Sequence, residues 1–340
     1  MISRISRPLR LVRQLLLLLP VCYLWGCSVN PALHIDEHGA NLPDSALVTV
    51  PFHPQTALQC GPAALATVLG ASGVEVDPEQ LAPHVFIPER DGSLQVELMA
   101  ATRTRGRIPF PLGVDVSELL EELAAGRPVL VMQNLGTRST PIWHYAVLTG
   151  YQQSQNRFRL NSGKDKDLWL GAPAFLRTWD WAGRWAIVTL EPGQYPVRAP
   201  QTPDPIRYLR PVLDFENVAG ITAAQPAWRA AALQWPNASL PALALGNIAY
   251  QTGKLEEAVR WYARGLATDG DNPALANNLA SALGAAGCAR GGEKILAEFA
   301  GNLQQDSPWA ATIETTRAEL AEQRMPDNER CAALVQPAES

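Results

Sequence analysis

Six prolines between positions 191 and 211 (Pro192, Pro196, Pro200, Pro203, Pro205 and Pro211) divide this chain into two parts. Each fixes its own φ and lacks a backbone donor, so neither a regular helix nor a central strand is expected through such a run. The spacing predicts a stiff, extended linker over 193–210. At 340 residues the chain is long enough for a domain on either side of it.

The part before the linker reads as α+β. Leu47–Val50 is expected to be a short strand. Cys60-Gly61-Pro62 opens a helix with Leu65, Val68 and Leu69 on its apolar face and Pro62 in the first turn, where its missing N–H costs nothing. Further helices are expected from Asp77, where Gln80 completes a variant capping box, from about Ser93 to Arg105, and from Asp115 to Ala125. Strands then follow at Val129–Met132, His144–Leu148, Phe158–Leu160 and Trp185–Leu190. Helices first and an antiparallel sheet second define an α+β domain, here set at 47–192. Lys164-Asp165-Lys166-Asp167 reads as a solvated turn, and Trp179, Trp181 and Trp185 as core or rim aromatics.

Beyond the linker the pattern is all-α, with a period of 34 residues over 211–325 and a tail at 326–340. Leu245, Gly246, Gly253, Ala258 and Tyr262 belong to one unit; Leu279, Ala280, Gly287, Gly292 and Leu296 lie one period on. Ala224, Trp228, Ala231 and Pro236 fit the second helix of an earlier, degenerate unit. Leu245-Gly246-Asn247-Ile248-Ala249-Tyr250 resembles the tetratricopeptide (TPR) repeat. That resemblance implies stacked helix pairs with a groove for a protein partner.

The N-terminus reads as a targeting segment. Arg4, Arg7, Arg10 and Arg13 precede the apolar run Leu15–Trp25, which is shorter than the roughly 20 residues of a membrane span. It ends in Leu24-Trp25-Gly26-Cys27, similar to the lipobox of bacterial lipoproteins except at the bulky Trp25. The likeness implies a signal peptide at 1–26, lipidation of Cys27 and a tether at 27–46. With Ser28 after the cysteine, it also implies attachment to the outer membrane, facing the periplasm. His34 and His38 fall in that tether and read as solvated. Cleavage removes four of 28 basic residues and none of 33 acidic ones. A mature chain this acidic argues against a nucleic-acid partner.

One constellation carries chemistry. A thiol at a helix N-terminus is favoured as thiolate by the backbone N–H groups and the helix dipole, which is where Cys60 falls. Gln55, five residues upstream, can set its amide beside the Cys60 N–H, and two such donors form an oxyanion hole. A cysteine nucleophile needs a base. His144, at the mouth of an apolar strand, fits that role, with His84 as the fallback. Asn161, at the end of the next strand, is positioned to orient the ring. Gln55, Cys60-Gly61, His144 with its strand and the polar residue after the following strand together resemble the bacteriocin-processing peptidases, papain-like domains that cut leader peptides after a double glycine. The resemblance implies Cys60 as nucleophile, His144 as base, Gln55 as oxyanion donor and a peptide or protein substrate, with no cofactor. That family has Asp where Asn161 aligns; Asp165 and Asp167 are alternatives. Two other readings stay open, a catalytically silent scaffold acting through its repeats and an acyltransferase using the same thioester. Cys288 and Cys331 are the unassigned thiols of the mature chain; the oxidising envelope would permit a bridge between them, and the sequence leaves open whether it forms.

Growth with labelled fatty acid should mark the wild-type protein and leave a Cys27→Ser variant unlabelled. An unlabelled, soluble wild type would refute lipidation.

Overall fold

The computed structural model describes residues 34–39, 41–55, 59–202, 205–301 and 307–323, together with 331 and 334. Cys27 and the signal segment lie outside them. Among the described residues no helix is long and apolar enough to cross a membrane, and no cluster of metal-binding side chains occurs.

The N-terminal domain is a twisted antiparallel sheet with helices on both faces. In chain order its elements are β1 (Ser45–Leu47), α1 (Cys60–Ala71), α2 (Pro78–Val85), β2 (Phe86–Ile87), β3 (Gly92–Ser93), α3 (Gln95–Thr104), β4 (Ile108–Pro111), α4 (Val116–Ala124), β5 (Val129–Asn134), β6 (Trp143–Gln152), β7 (Arg157–Ser162), β8 (Asp165–Gly171), α5 (Ala172–Asp180) and β9 (Ala186–Leu190). The sheet order is β4-β9-β5-β6-β7-β8, with β1 also paired to β6. One face packs on α1 to α3 through Leu65, Leu69, Leu98, Leu130, Tyr145 and Val147. The other packs on α4 and α5 through Leu120, Val131, Ala146, Leu148, Phe175 and Trp179. The α+β expectation is met, with three differences in detail. The strand expected at 47–50 pairs instead over Ser45–Leu47. Ile108–Pro111 forms an edge strand despite its two prolines, which such a position tolerates. Asp165–Asp167 begin strand β8, their exposed side chains lying on an outer strand that the sequence presents as a turn.

Of the expected tether, residues 34–39 and 41–44 are docked on the domain, and residues 27–33 and 40 lie outside the described residues. Ile35 is buried in the core, and its N–H donates to Asn156 Oδ1 at 3.2 Å. Gln153 Nε2 donates to the carbonyls of Gly39, Leu42 and Pro43, and Tyr151 Oη donates to Pro43. His38 lies 3.8 Å from Asp115.

The C-terminal domain is a stack of antiparallel helices: α6 (Ile206–Ala219), α7 (Ile221–Gln234), α8 (Ser239–Gln251), α9 (Leu255–Thr268), α10 (Pro273–Ala285), α11 (Ala289–Ala300) and α12 (Ala310–Glu322). The second helices of three successive pairs begin at 221, 255 and 289, a constant step of 34. Within a pair the helices touch at small residues: a Cβ on Gly246 would meet the Tyr262 ring, and one on Gly292 the Ala280 carbonyl. Gly253 and Gly287, one period apart, turn the chain at positive φ (74° and 81°). Ala224, Trp228 and Ala231 are buried in α7, as the degenerate unit requires. Cys288 and Cys331 form a disulfide that ties the α11 N-cap to the C-terminal segment.

The proline-rich stretch does not separate the two domains as an extended spacer. The helical domain begins within it at Ile206 and carries Pro211 inside α6. The preceding residues are clamped onto α4: Val197 N–H donates to Glu122 at 2.6 Å, and Arg198 pairs with Glu121 at 2.7 Å. Arg207 pairs with Glu118, also at 2.6 Å. Below these contacts runs a shared core. Ile108, Phe110, Val188 and Leu190 of the sheet pack with Tyr208, Leu209, Val212, Phe215 and Trp228 of α6 and α7.

A chain ending at residue 236 should therefore fold, whereas one ending at 204 should not fold stably. The shorter chain strips the cover from four core side chains worth about 1.5–3 kcal/mol each, comparable with a whole domain's stability of about 5–15 kcal/mol. Thermal melts of both would check this; equal midpoints would refute the shared core.

Candidate active site

The site lies where α1 meets the ends of β6 and β7. Cys60 is the first residue of α1, and among the described residues nothing accepts a hydrogen bond from its N–H. It is the free thiol of the described residues, half-buried against the core cluster that includes Leu65 and Tyr145. Gly61 follows because the chain passes under β3 there: a Cβ would collide with the Ser93 side chain. Ser93 in turn accepts a hydrogen bond on its carbonyl from Tyr145 Oη at 3.1 Å. Burial, and secondarily the Cys60 sulfur, push the Tyr145 phenol above its ordinary range, so it remains a neutral donor bracing β3 beside the thiol.

His144 stands at the start of β6, in register with Gln133 of β5. Its Nε2 lies 2.9 Å from Ser162 Oγ at the end of β7. No hydrogen bond joins the ring to Cys60 Sγ. His84 is exposed in the last turn of α2.

Asn161 has a different place from the one its spacing suggests. The β7–β8 register slips between Leu160 and Ser162, leaving an extra residue on β8 and a backbone N–H without a ladder partner. Asn161 Oδ1 accepts that N–H, from Asp167, at 3.0 Å. Asp167 itself takes positive φ (55°), and its carboxylate pairs with Arg159 at 3.4 Å. Asn161 is thus committed to the bulge, and the imidazole partner is the next residue, Ser162. In Leu160-Asn161-Ser162-Gly163 the hydroxyl was the overlooked signal: a strand end offers two adjacent polar side chains, and the bulge decides which one reaches the ring.

Gln55 donates its backbone N–H to Gly163 O at 3.1 Å. It lines a small cavity of about 10 Å³ with Ala63, Ala64 and Thr67 of α1 and with Asn161 and Ser162. Asn161 Nδ2, which is buried and has no hydrogen-bond partner among the described residues, belongs to the same cavity wall. The structure so brings Gln55, the imidazole partner and the first turns of α1 together.

Residues 47–179 match the model of the Peptidase_C39 like family. Over these residues, 133 of the 340, the chain is similar to C39-like peptidases. Three solved structures are similar to it, each over 43% of this chain. A C39-like protein from Bacillus anthracis is 20% identical over 98% of its own length, with a TM-score of 0.36. A double glycine motif protease from an AMS/PCAT transporter, solved with its leader peptide, is 23% identical over 92% (TM-score 0.34). The peptidase domain of Streptococcus ComA, a bifunctional ABC transporter, is 22% identical over 98% (TM-score 0.34). No protein of curated function matches the chain. The C39-like match ends before the helical domain, which begins at Ile206.

Burial lowers the His144 ring below its ordinary value of 6.5. Between that value and the lower folded one, the unfolded chain binds the extra proton. The ring's contribution to stability is therefore complete above about pH 6.5 and is lost as pH falls through the folded value. An NMR titration of the His144 ring should give a midpoint below 6.5; a midpoint above it would contradict the burial argument.

Proposed function

We propose that this chain is a cysteine peptidase of the bacterial cell envelope, held to the outer membrane by a lipid on Cys27 and facing the periplasm. The observation that carries the chemistry is Cys60 at the N-terminus of α1 in a C39-like domain, with no acceptor for its N–H among the described residues. In this reading the Cys60 thiol attacks the scissile carbonyl carbon and passes its proton to His144. The developing oxyanion is taken by the Cys60 N–H and the Gln55 side-chain amide. His144 then protonates the leaving amine, and water hydrolyses the thioester. The helix dipole and the α1 N–H groups stabilise negative charge on sulfur during the first step. Asn161 supports this machinery through the β7–β8 bulge.

The helical domain fits stacked tetratricopeptide-type repeats, and its role in this reading is to hold a protein partner or a substrate segment. Between α8, α9 and α10 lies a cavity of about 210 Å³ lined by Asn247, Tyr250, Tyr262 and Asn278, side chains that can hydrogen-bond an extended peptide.

The decisive experiment is turnover of a peptide library by the purified protein. Cys60→Ala should abolish cleavage and alkylation by a thiol-directed probe. Gln55→Ala should lower kcat by on the order of 10²–10³ while leaving alkylation intact. Cleavage by the Cys60→Ala variant would refute the assignment. Transfer to an added amine in place of water would establish the acyltransferase alternative.

A further inference from the structure

We infer that Ser162 is the positioning residue that holds His144 in the tautomer able to accept the Cys60 proton, taking the place that a carboxylate or amide would otherwise fill. The inference rests on the peptidase reading for its catalytic consequence, and on geometry alone for the placement of the ring.

Four observations lead to it. Ser162 Oγ is 2.9 Å from His144 Nε2, and the described residues offer the ring no other hydrogen bond. Asn161 Oδ1 accepts the Asp167 N–H, and among the described residues Asn161 makes no hydrogen bond with the ring. The Asp167 carboxylate faces Arg159. Asp165 sits opposite Ser162 in the β7–β8 register, but its side chain is exposed.

The hydroxyl itself is well fixed. It belongs to the last residue of β7, immediately before the Gly163 turn at φ 65°, and it borders the cavity shared with Gln55 and α1.

When the hydroxyl accepts the Nε2 proton, the lone pair of the neutral ring resides on Nδ1. Among the described residues Nδ1 has no hydrogen-bond partner, and in this reading it is the atom that meets the thiol. As the Cys60 sulfur bonds to the carbonyl carbon, the thiol proton moves to Nδ1 and the carbonyl π pair moves to oxygen. Collapse of that intermediate breaks the C–N bond, and the Nδ1 proton leaves with the amine. A water molecule then gives a proton to Nδ1 as it attacks the thioester, and the proton returns to sulfur when the C–S bond breaks. Ser162 neither gains nor loses a proton in the cycle. Being neutral, it fixes the ring and lends no charge to the imidazolium formed between steps. Its contribution is that of one neutral hydrogen bond, about tenfold in rate.

The test uses the full chain labelled with ¹⁵N-histidine, the His144 signals being assigned with a His144→Gln variant. Above the ring's titration, the wild type should show the proton on Nε2. Ser162→Ala should give a mixture of tautomers and a kcat about tenfold lower at unchanged KM. Ser162→Thr, which keeps the hydroxyl, should restore both. If the alanine variant fails to fold, Ser162→Thr against Ser162→Val provides the same contrast between near-isosteric side chains. A wild-type ring protonated on Nδ1, or a variant lacking the hydroxyl with wild-type tautomer and kcat, would overturn the inference. If no form of the protein cleaves any peptide yet removing the hydroxyl shifts the tautomer, the peptidase reading fails and the positioning of the ring stands.

Discussion

The N-terminal domain depends on the pairing of β6. This ten-residue strand bonds to β5 along its first half, to β1 at its far end and to β7 along its other edge. From Tyr145 to Tyr151 it is buried throughout, so its register admits no slip: a shift by one residue would carry Tyr145 and Val147 away from α1 and into the opposite layer. The same register sets His144 opposite Gln133, whose amide donates to Thr178 of α5 at 2.6 Å. A base held at the mouth of such a strand moves only if the sheet moves. The nucleophile is fixed from the other side, by a helix whose residues from Gly61 to Leu69 are all buried.

A second constraint joins the two domains. The open edge of the sheet at β4 and β9 would expose Ile108, Phe110, Val188 and Leu190, and α6 with α7 covers them. The charged contacts above this core act as alignment more than as glue. Arg198 and its acidic partners remain partly exposed, and such pairs contribute little once solvent screens them. Glu122 is different. It is almost fully buried, and burial raises its carboxyl above the ordinary range despite the Val197 N–H and Arg127. Leaving it unpaired would cost more than its pairing contributes, so it selects the docked position of the 195–198 segment against alternatives.

Much of this was legible in the sequence. The α1 start at Cys60-Gly61-Pro62, the continuous apolar run after His144 and the 34-residue period are each set by local pattern, and local pattern survives folding. Cys60 and His144 could be chosen because a helix N-terminus and a strand mouth can be read from neighbouring residues. Three features were not legible, for a common reason. The Asn161–Ser162 exchange depends on a β-bulge one strand away. The docking of Ile35–Pro43 depends on Gln153 and Asn156, more than a hundred residues later. The folding of the proline-rich stretch onto the domain depends on acidic residues of α4, and proline fixes φ without specifying what the chain then touches. In each case the partner is distant in sequence, and composition carries no trace of it.

The two ends of β6 also separate attachment from chemistry. The residues before β1 are bound at the β6–β7 turn, through Gln153, Ser154 and Asn156, while His144 opens the opposite end of the strand. Ten residues of strand at about 3.3 Å each put roughly 30 Å between these ends. Only seven positions separate Cys27 from His34, the first described residue, and fully extended they reach at most about 25 Å. A lipid on Cys27 would thus enter the fold close to the turn end of the sheet. The helical domain is fused to the β4–β9 edge of the same sheet, so a partner bound there would be held in fixed relation to the thiol by the core the two domains share.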